Sequence, residues 1–170
     1  MSLQGKTHDD SWRRADPTEP AFRLDNSPFY WLTRISGRYI MEMSERLRPI
    51  GMDVPRWRVL MILAEHEPAS ISTLSDEAVI NLSTMTKIVQ RMAVDSLVDT
   101  SPRQTDARVT EVRLTDSGRT ALSDVRASAG QVFRHAFDTL DGEAINELVK
   151  TLRQIFSALL QEPGRGKLPV

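Results

Sequence analysis

The apolar positions of this chain recur at helical spacing along most of its length and alternate along one short stretch. Phe29, Leu32, Ile35, Tyr39, Met43 and Leu47 are spaced by three and four, which predicts a helix opened by Ser27-Pro28 and ended by Pro49 and Gly51. Trp31, Ile40 and Met41 lie off that stripe, so this helix needs apolar neighbours on more than one side. Asp53 and Pro55 open a second helix carrying Trp57, Val59, Leu60, Ile62 and Leu63. Ile71, Leu74 and Ala78 define a short third helix, and Val79, Ile80 and Asn81 leave room only for a tight turn into a fourth. That fourth stretch, 82–97, has an apolar stripe of Leu82, Met85, Ile88, Val89 and Met92. The period then changes. Residues 98–101 and 109–114 read as strands, with Thr110, Val112 and Leu114 alternating against Glu111 and Arg113, and 102–108 as the polar loop of a hairpin. Thr115 is placed to cap a further helix carrying Ala121, Leu122, Val125, Val132 and Phe133. Asp141-Gly142-Glu143 opens the last helix, with Ile145, Leu148, Val149, Leu152, Ile155, Phe156, Leu159 and Leu160 on it.

This order gives a mainly α fold with a small β-hairpin wing (α+β). Two short helices joined by a tight turn form a helix-turn-helix, and a hairpin directly after it is a wing. The expected organisation is a flexible N-terminal arm over 1–26, an N-terminal dimerisation helix over 27–50 and a winged helix-turn-helix lobe over 53–115. C-terminal dimerisation helices over 116–161 and a polar tail over 162–170 complete it. The terminal helices carry more apolar surface than a monomer leaves open, so Phe29, Leu32, Leu148, Leu152, Ile155 and Leu159 are expected to meet a second copy.

The polar face of the stretch 82–97 carries Ser83, Thr84, Thr86, Lys87, Gln90 and Arg91. Short hydroxyls, one amide and two cations suit the edges of bases and the phosphates beside them, whereas Asp95 and Asp99 come only toward the far end. In the hairpin loop, Arg103 and Arg108 are candidate backbone or minor-groove contacts. A guanidinium is planar, permanently charged and weakly hydrated, so it enters a narrow groove at small desolvation cost. Asp106 is expected to accept hydrogen bonds from Arg108 or from wing backbone and so to aim that guanidinium. Formal net charge is −1 over 170 residues, so a DNA site here is a local patch rather than a property of the whole surface.

Absent features narrow the function further. There is no cysteine, which removes disulfides, thiolate metal sites and thiol switches. His8, His66 and His135 are far apart and lack the spacing of a metal site, and no phosphate-binding glycine loop or nucleophile motif is present. Neither catalysis nor a cofactor or metal is expected. No apolar run approaches the roughly 20 residues that span a bilayer, so no membrane association and a cytoplasmic location are expected.

The order of elements, with these residues, resembles the MarR (multiple antibiotic resistance regulator) family of winged-helix transcription factors over about residues 28–160. Trp57-Arg58-Val59-Leu60 with Leu63-Ala64-Glu65 is similar to the family's second helix, and Ile71-Ser72-Thr73-Leu74 with Glu77-Ala78 to the first helix of its DNA-reading pair. Asp106-Ala107-Arg108, then Val112-Arg113-Leu114-Thr115, then Gly118 resemble its wing and the helix start that follows.

The resemblance implies a homodimer that binds a pseudo-palindromic operator in double-stranded DNA, commonly as a repressor. It also implies release by a small, often aromatic acidic effector held between the dimer layer and the DNA-binding lobe. Trp31, Arg34, Tyr39 and Arg58 are candidates for that ligand, because a cation beside aromatics suits an aromatic acid. Two departures stand out. Ser96 occupies a position where the family usually has glycine, and Thr100 and Ser101 replace residues that are often basic. Between positions 82 and 113 five cations (Lys87, Arg91, Arg103, Arg108, Arg113) face four acids (Asp95, Asp99, Asp106, Glu111). That near balance sustains an alternative, a winged-helix protein-interaction module without specific DNA binding, which salt-dependent retention on DNA separates from the first reading.

Overall fold

The computed structural model describes residues 9–161. Its long first-layer helix, α2 (Pro28–Leu47), follows a short helix, α1 (Asp10–Ala15), and a turn of 3-10 helix at Leu24–Asn26. Residues 9–26 therefore contain regular structure where the sequence suggested only an arm. Asp9 caps α1 by accepting from the Trp12 backbone N–H, and the Arg23 N–H reaches the Arg14 carbonyl at 2.9 Å. Of the large apolar residues there, Phe22 is half-buried, while Trp12 and Leu24 are exposed. Residues 1–8 and the tail 162–170 lie outside the described residues.

Proline in the first turn starts α2, and Ser27 stands at the N-cap without a side-chain cap bond. Only Met43 and Leu47, at its far end, are buried. Gly51, at φ 69°, makes the left-handed turn that closes this layer. Asp53 then caps α3 (Val54–Leu63) by accepting from the Arg56 N–H at 2.9 Å.

The winged lobe follows. A two-residue strand, β1 (Ala69–Ser70), which alternation cannot reveal in so short a piece, leads into α4 (Ile71–Ala78) and α5 (Leu82–Val94). The hairpin is β2 (Val98–Arg103) and β3 (Asp106–Leu114), both longer than the sequence suggested, so the expected 102–108 loop shrinks to a tip at Gln104 and Thr105. The antiparallel sheet has the order β1-β3-β2, with Ala69 opposite Val112 and Val98 opposite Leu114. The register slips between Pro102 and Arg103.

Helix α6 (Asp116–Ala136) is capped by Thr115, and α7 (Gly142–Leu160) by Asp141, both as the sequence suggested. The core runs through the lobe: Leu60, Leu63, Leu74, Met85, Val89, Met92, Val112 and Val125, with Met43 and Leu47 of α2, are all essentially inaccessible. Helix α7 has no buried residue at all.

Candidate nucleic-acid interface

Asn81 starts α5: its Oδ1 accepts the Thr84 N–H at 2.8 Å. Met85, Val89 and Met92 seat the helix on the core. Leu82 does not join them. It is 54% exposed, because a first-turn residue at the edge of the stripe has nothing above it to bury against. Ser83, Lys87 and Gln90 point the other way, with Thr84 and Arg91 exposed beside them. Among the described residues no hydrogen bond or ion pair occupies the side chains of Lys87, Gln90 or Arg91. Thr86 is half-buried and donates its hydroxyl to the Leu82 carbonyl at 2.8 Å, so it sits at the margin of this face. Val94, on the same outward row, is 84% exposed and extends the face by an apolar end.

The turn before α5 is tight because Val79 adopts φ 54°, the Ile80 N–H reaches the Ser75 carbonyl at 3.0 Å, and the Ser75 hydroxyl donates to the Ile80 carbonyl at 2.6 Å. Ser75 is thus a buried polar residue with its partner in place.

In the wing, Asp106 accepts from Arg108 at its backbone N–H and at its guanidinium. Those bonds, the guanidinium ones foremost, hold the Asp106 carboxyl below its ordinary range and the Arg108 guanidinium above its own. Arg103 and Arg113 both lean on one carboxylate, Glu111, at 2.9 and 3.3 Å. Sequence reading did not pair them, although alternation along β3 puts Glu111 and Arg113 on one face. Three of the five cations counted above are therefore paired, and Lys87 and Arg91 supply the charge that no intrachain carboxylate balances among the described residues.

The four residues expected around a ligand form two clusters rather than one. Near the start of α2, the Trp31 indole donates to the Asp25 carbonyl at 2.7 Å, and the Arg34 guanidinium lies 5.4 Å from the Tyr30 ring centroid and 6.0 Å from that of Trp31. Farther along α2, Tyr39 meets the edge of Trp57 on α3 with centroids 5.7 Å apart. Burial raises the Tyr39 hydroxyl above its ordinary value, and the neighbouring Arg58 charge pulls it part of the way back. Arg58 donates to the Ala78 carbonyl at 3.2 Å, immediately before the turn into α5. The Trp57 indole N–H is buried without a partner among the described residues, a group that sequence reading passed over as core. A tryptophan beside the expected cation was the available signal.

Phe29, Leu148, Leu152 and Leu159 are exposed and Leu32 and Ile155 half-buried in the single chain. No helix among the described residues is long and apolar enough to cross a membrane, and none of their acidic and histidine side chains cluster as a metal site.

Known proteins share this arrangement. The MarR family model matches residues 52–110, from the start of α3 into the wing. The HTH-type transcriptional repressor IacR of Pseudomonas putida is 43% identical over 144 residues, which cover 85% of this chain and 86% of that protein. A MarR-family transcriptional regulator from Silicibacter pomeroyi superposes with a TM-score of 0.74 at 23% identity, over 80% of this chain and 92% of that one. BpsR of Bordetella bronchiseptica, whose DNA binding is regulated by 6-hydroxynicotinic acid, superposes with a TM-score of 0.69 at 19% identity, over 79% and 96%. The family match falls on the helices and wing just described, and the repressor relative extends the likeness across most of the chain. This chain is a DNA-binding transcriptional regulator and belongs to the MarR family.

Proposed function

We propose that the chain acts in the cytoplasm as a homodimeric repressor on a pseudo-palindromic operator. In this reading α5 lies in the major groove and the Arg108 side of the wing meets the adjacent backbone and minor groove. The observation that carries the reading is the outward face of α5, where Lys87, Gln90 and Arg91 have no partner among the described residues above a fully buried Met85–Val89–Met92 stripe. Such a face offers donors to base edges and phosphates without first breaking bonds of its own. What supports the dimer is α7, a 19-residue helix with no buried residue against the rest of the described residues. Two α5 helices related by a dyad address half-sites roughly 34 Å apart. Selection of bound fragments from random double-stranded DNA tests this. Enrichment of an inverted repeat with that spacing is expected, and Lys87→Ala with Gln90→Ala should abolish it. Unchanged operator affinity in that double variant would show that α5 is not the reading helix.

Release by a small aromatic acid is the regulatory half of the proposal. The Tyr39, Trp57 and Arg58 cluster joins α2 to α3, and through the Ala78 carbonyl to the turn before α5. A carboxylate drawn to Arg58 with its ring against Trp57 would act on both layers at once. A ligand weakens DNA binding only by preferring the conformation whose α5 helices are wrongly spaced. BpsR, regulated by an aromatic acid, is a structural neighbour in which this class of effector works.

A further inference from the structure

Ser83, Lys87 and Gln90 form the row of α5 that faces away from the buried Met85, Val89 and Met92. Lysine only donates hydrogen bonds and glutamine does both, and a serine hydroxyl ordinarily does both as well. At Ser83 the structure restricts that freedom. The Thr84 backbone N–H points at Asn81 at 2.8 Å, and an N–H can only donate, so the atom it meets is the amide oxygen and not the amide nitrogen. Ser83 Oγ lies 3.0 Å from that same oxygen. Between a hydroxyl and an amide oxygen only the hydroxyl has a proton to give. While that bond is kept, the one hydrogen of Ser83 is turned back toward the helix start, and the exposed side of Oγ offers lone pairs.

We infer that Ser83 is an acceptor-only reader, so that the operator base opposite it presents an amino group: N4 of cytosine or N6 of adenine. The groove-side atoms of guanine and thymine are N7, O6 and O4, all acceptors, and they would meet lone pair with lone pair. This rests on the placing of α5 in the major groove and narrows it to a base class at one position of each half-site. The neighbouring Lys87 has the opposite sense, a donor only, so the row does not read the same base type along its length.

Selection from random double-stranded DNA by the purified full-length protein, with Ser83→Ala and Asn81→Gly in parallel, tests the inference. Wild type is expected to prefer cytosine or adenine on the order of tenfold at one position of each half-site. Ser83→Ala should lose that preference and keep the others. Asn81→Gly leaves an acceptable N-cap but releases the hydroxyl hydrogen, so the same position should widen to admit guanine and thymine. Asn81→Asp keeps the accepting oxygens and should keep the wild-type preference, which guards against a fold effect in the glycine variant. A guanine or thymine preference that depends on Ser83 would overturn the inference, as would a selected sequence that Ser83→Ala leaves unchanged at every position. If wild type enriches no sequence at all, the placing of α5 in the groove is what fails.

Discussion

Asp106 holds Arg108 at three points: Oδ1 accepts from the Arg108 backbone N–H at 3.1 Å and from Nε at 3.0 Å, and Oδ2 accepts from Nη2 at 3.2 Å. The two residues lie just past the hairpin tip, and the Arg108 side chain is 91% exposed. A fork-shaped cation gripped along one edge is restricted in direction while its outer face stays open to solvent. The acid at this site therefore orients the cation that faces outward.

Arg108→Ala should lower affinity for operator and non-operator DNA alike, with the salt slope reduced by about one. Asp106→Ala should do the same more mildly, although counting charges alone says that it should tighten binding. Anisotropy titrations at several salt concentrations decide the sign, and tighter binding by Asp106→Ala would mean that the carboxylate merely repels phosphate. Because the folded Asp106 carboxyl titrates below its ordinary range, its contribution is fully present above that range and is lost only as pH falls through the folded value. The grip should be constant between pH 6 and 8. An NMR titration of the Asp106 carboxyl should shift upward in Arg108→Ala.

Ser96, at the end of α5, has φ 57°, a left-handed conformation that costs a residue with a β-carbon about 1–2 kcal/mol. Its carbonyl accepts the Thr115 hydroxyl at 2.6 Å, and the next carbonyl, Leu97, lies 2.0 Å from where a β-carbon on Gly118 would sit. Ser96→Gly should therefore stabilise the chain, by roughly 0.5–1 kcal/mol after the greater chain entropy of glycine is subtracted. Gly118→Ala should destabilise by on the order of 3 kcal/mol, since backbone must move to admit the methyl group. Urea unfolding of both variants measures this, and a destabilised Ser96→Gly would remove strain as the reason that glycine is favoured there.

Local signals carried much of this fold. Asp53, Thr115 and Asp141 were legible as caps because a short acceptor before an apolar period has little else to do. The Met85, Val89 and Met92 stripe was legible from spacing alone. Strand β1 was not, since two residues have no period, and neither was α1, whose six residues bury nothing. Leu82 has nearly the phase of the stripe, but spacing does not say where the core ends. In the site, residue types on α5 suggested nucleic acid. The sharing of Glu111 by Arg103 and Arg113 and the split of the aromatic cluster depend on tertiary placement, and the direction of the Ser83 hydroxyl depends on the local geometry of the Asn81 cap.

Leu159 is 53% exposed and Phe156 60% on a helix with an otherwise regular apolar stripe. Asp in place of Leu159 or Ile155 should shift sedimentation at micromolar concentration from dimer to monomer, with circular dichroism showing that the winged lobe survives. A wild-type monomer under those conditions would remove the basis for paired half-sites.

The two aromatic clusters make the effector question specific. An aromatic carboxylic acid that weakens DNA binding should also raise the melting temperature, by mass action. Arg58→Ala should remove both effects and Arg34→Ala neither, if the ligand sits beside Trp57. The reverse outcome would move the site to Tyr30 and Trp31. A broad panel without effect on either quantity would count against ligand release altogether.

Arg56 ties the turn after α2 to the far end of α5. Its Nη1 meets Asp95 at 3.1 Å, one residue past the end of α5, its Nε meets Asp53 at 3.1 Å, and its Nη2 donates to the Gly51 carbonyl at 2.9 Å in the turn that leaves α2. The side chain is mostly buried, so these bonds are shielded better than those of surface pairs, although Asp95 itself is partly open to water. A double-mutant cycle of Arg56→Ala and Asp95→Ala should give a coupling of about 0.5–1 kcal/mol, discounted for that exposure. The functional expectation is sharper than the energetic one. Asp95→Ala removes a negative charge near the duplex, so affinity for non-operator DNA should hold or rise slightly. It also frees the far end of α5 from Arg56 and the turn after α2, which in the proposed dimer would help set the distance between the two recognition helices. Operator affinity should then fall, and the ratio of operator to non-operator binding with it. Titrations on both DNAs at one salt concentration separate these effects. If the two affinities rise together, Asp95 acts only as a charge, and the Arg56 bridge does not set the placement of α5.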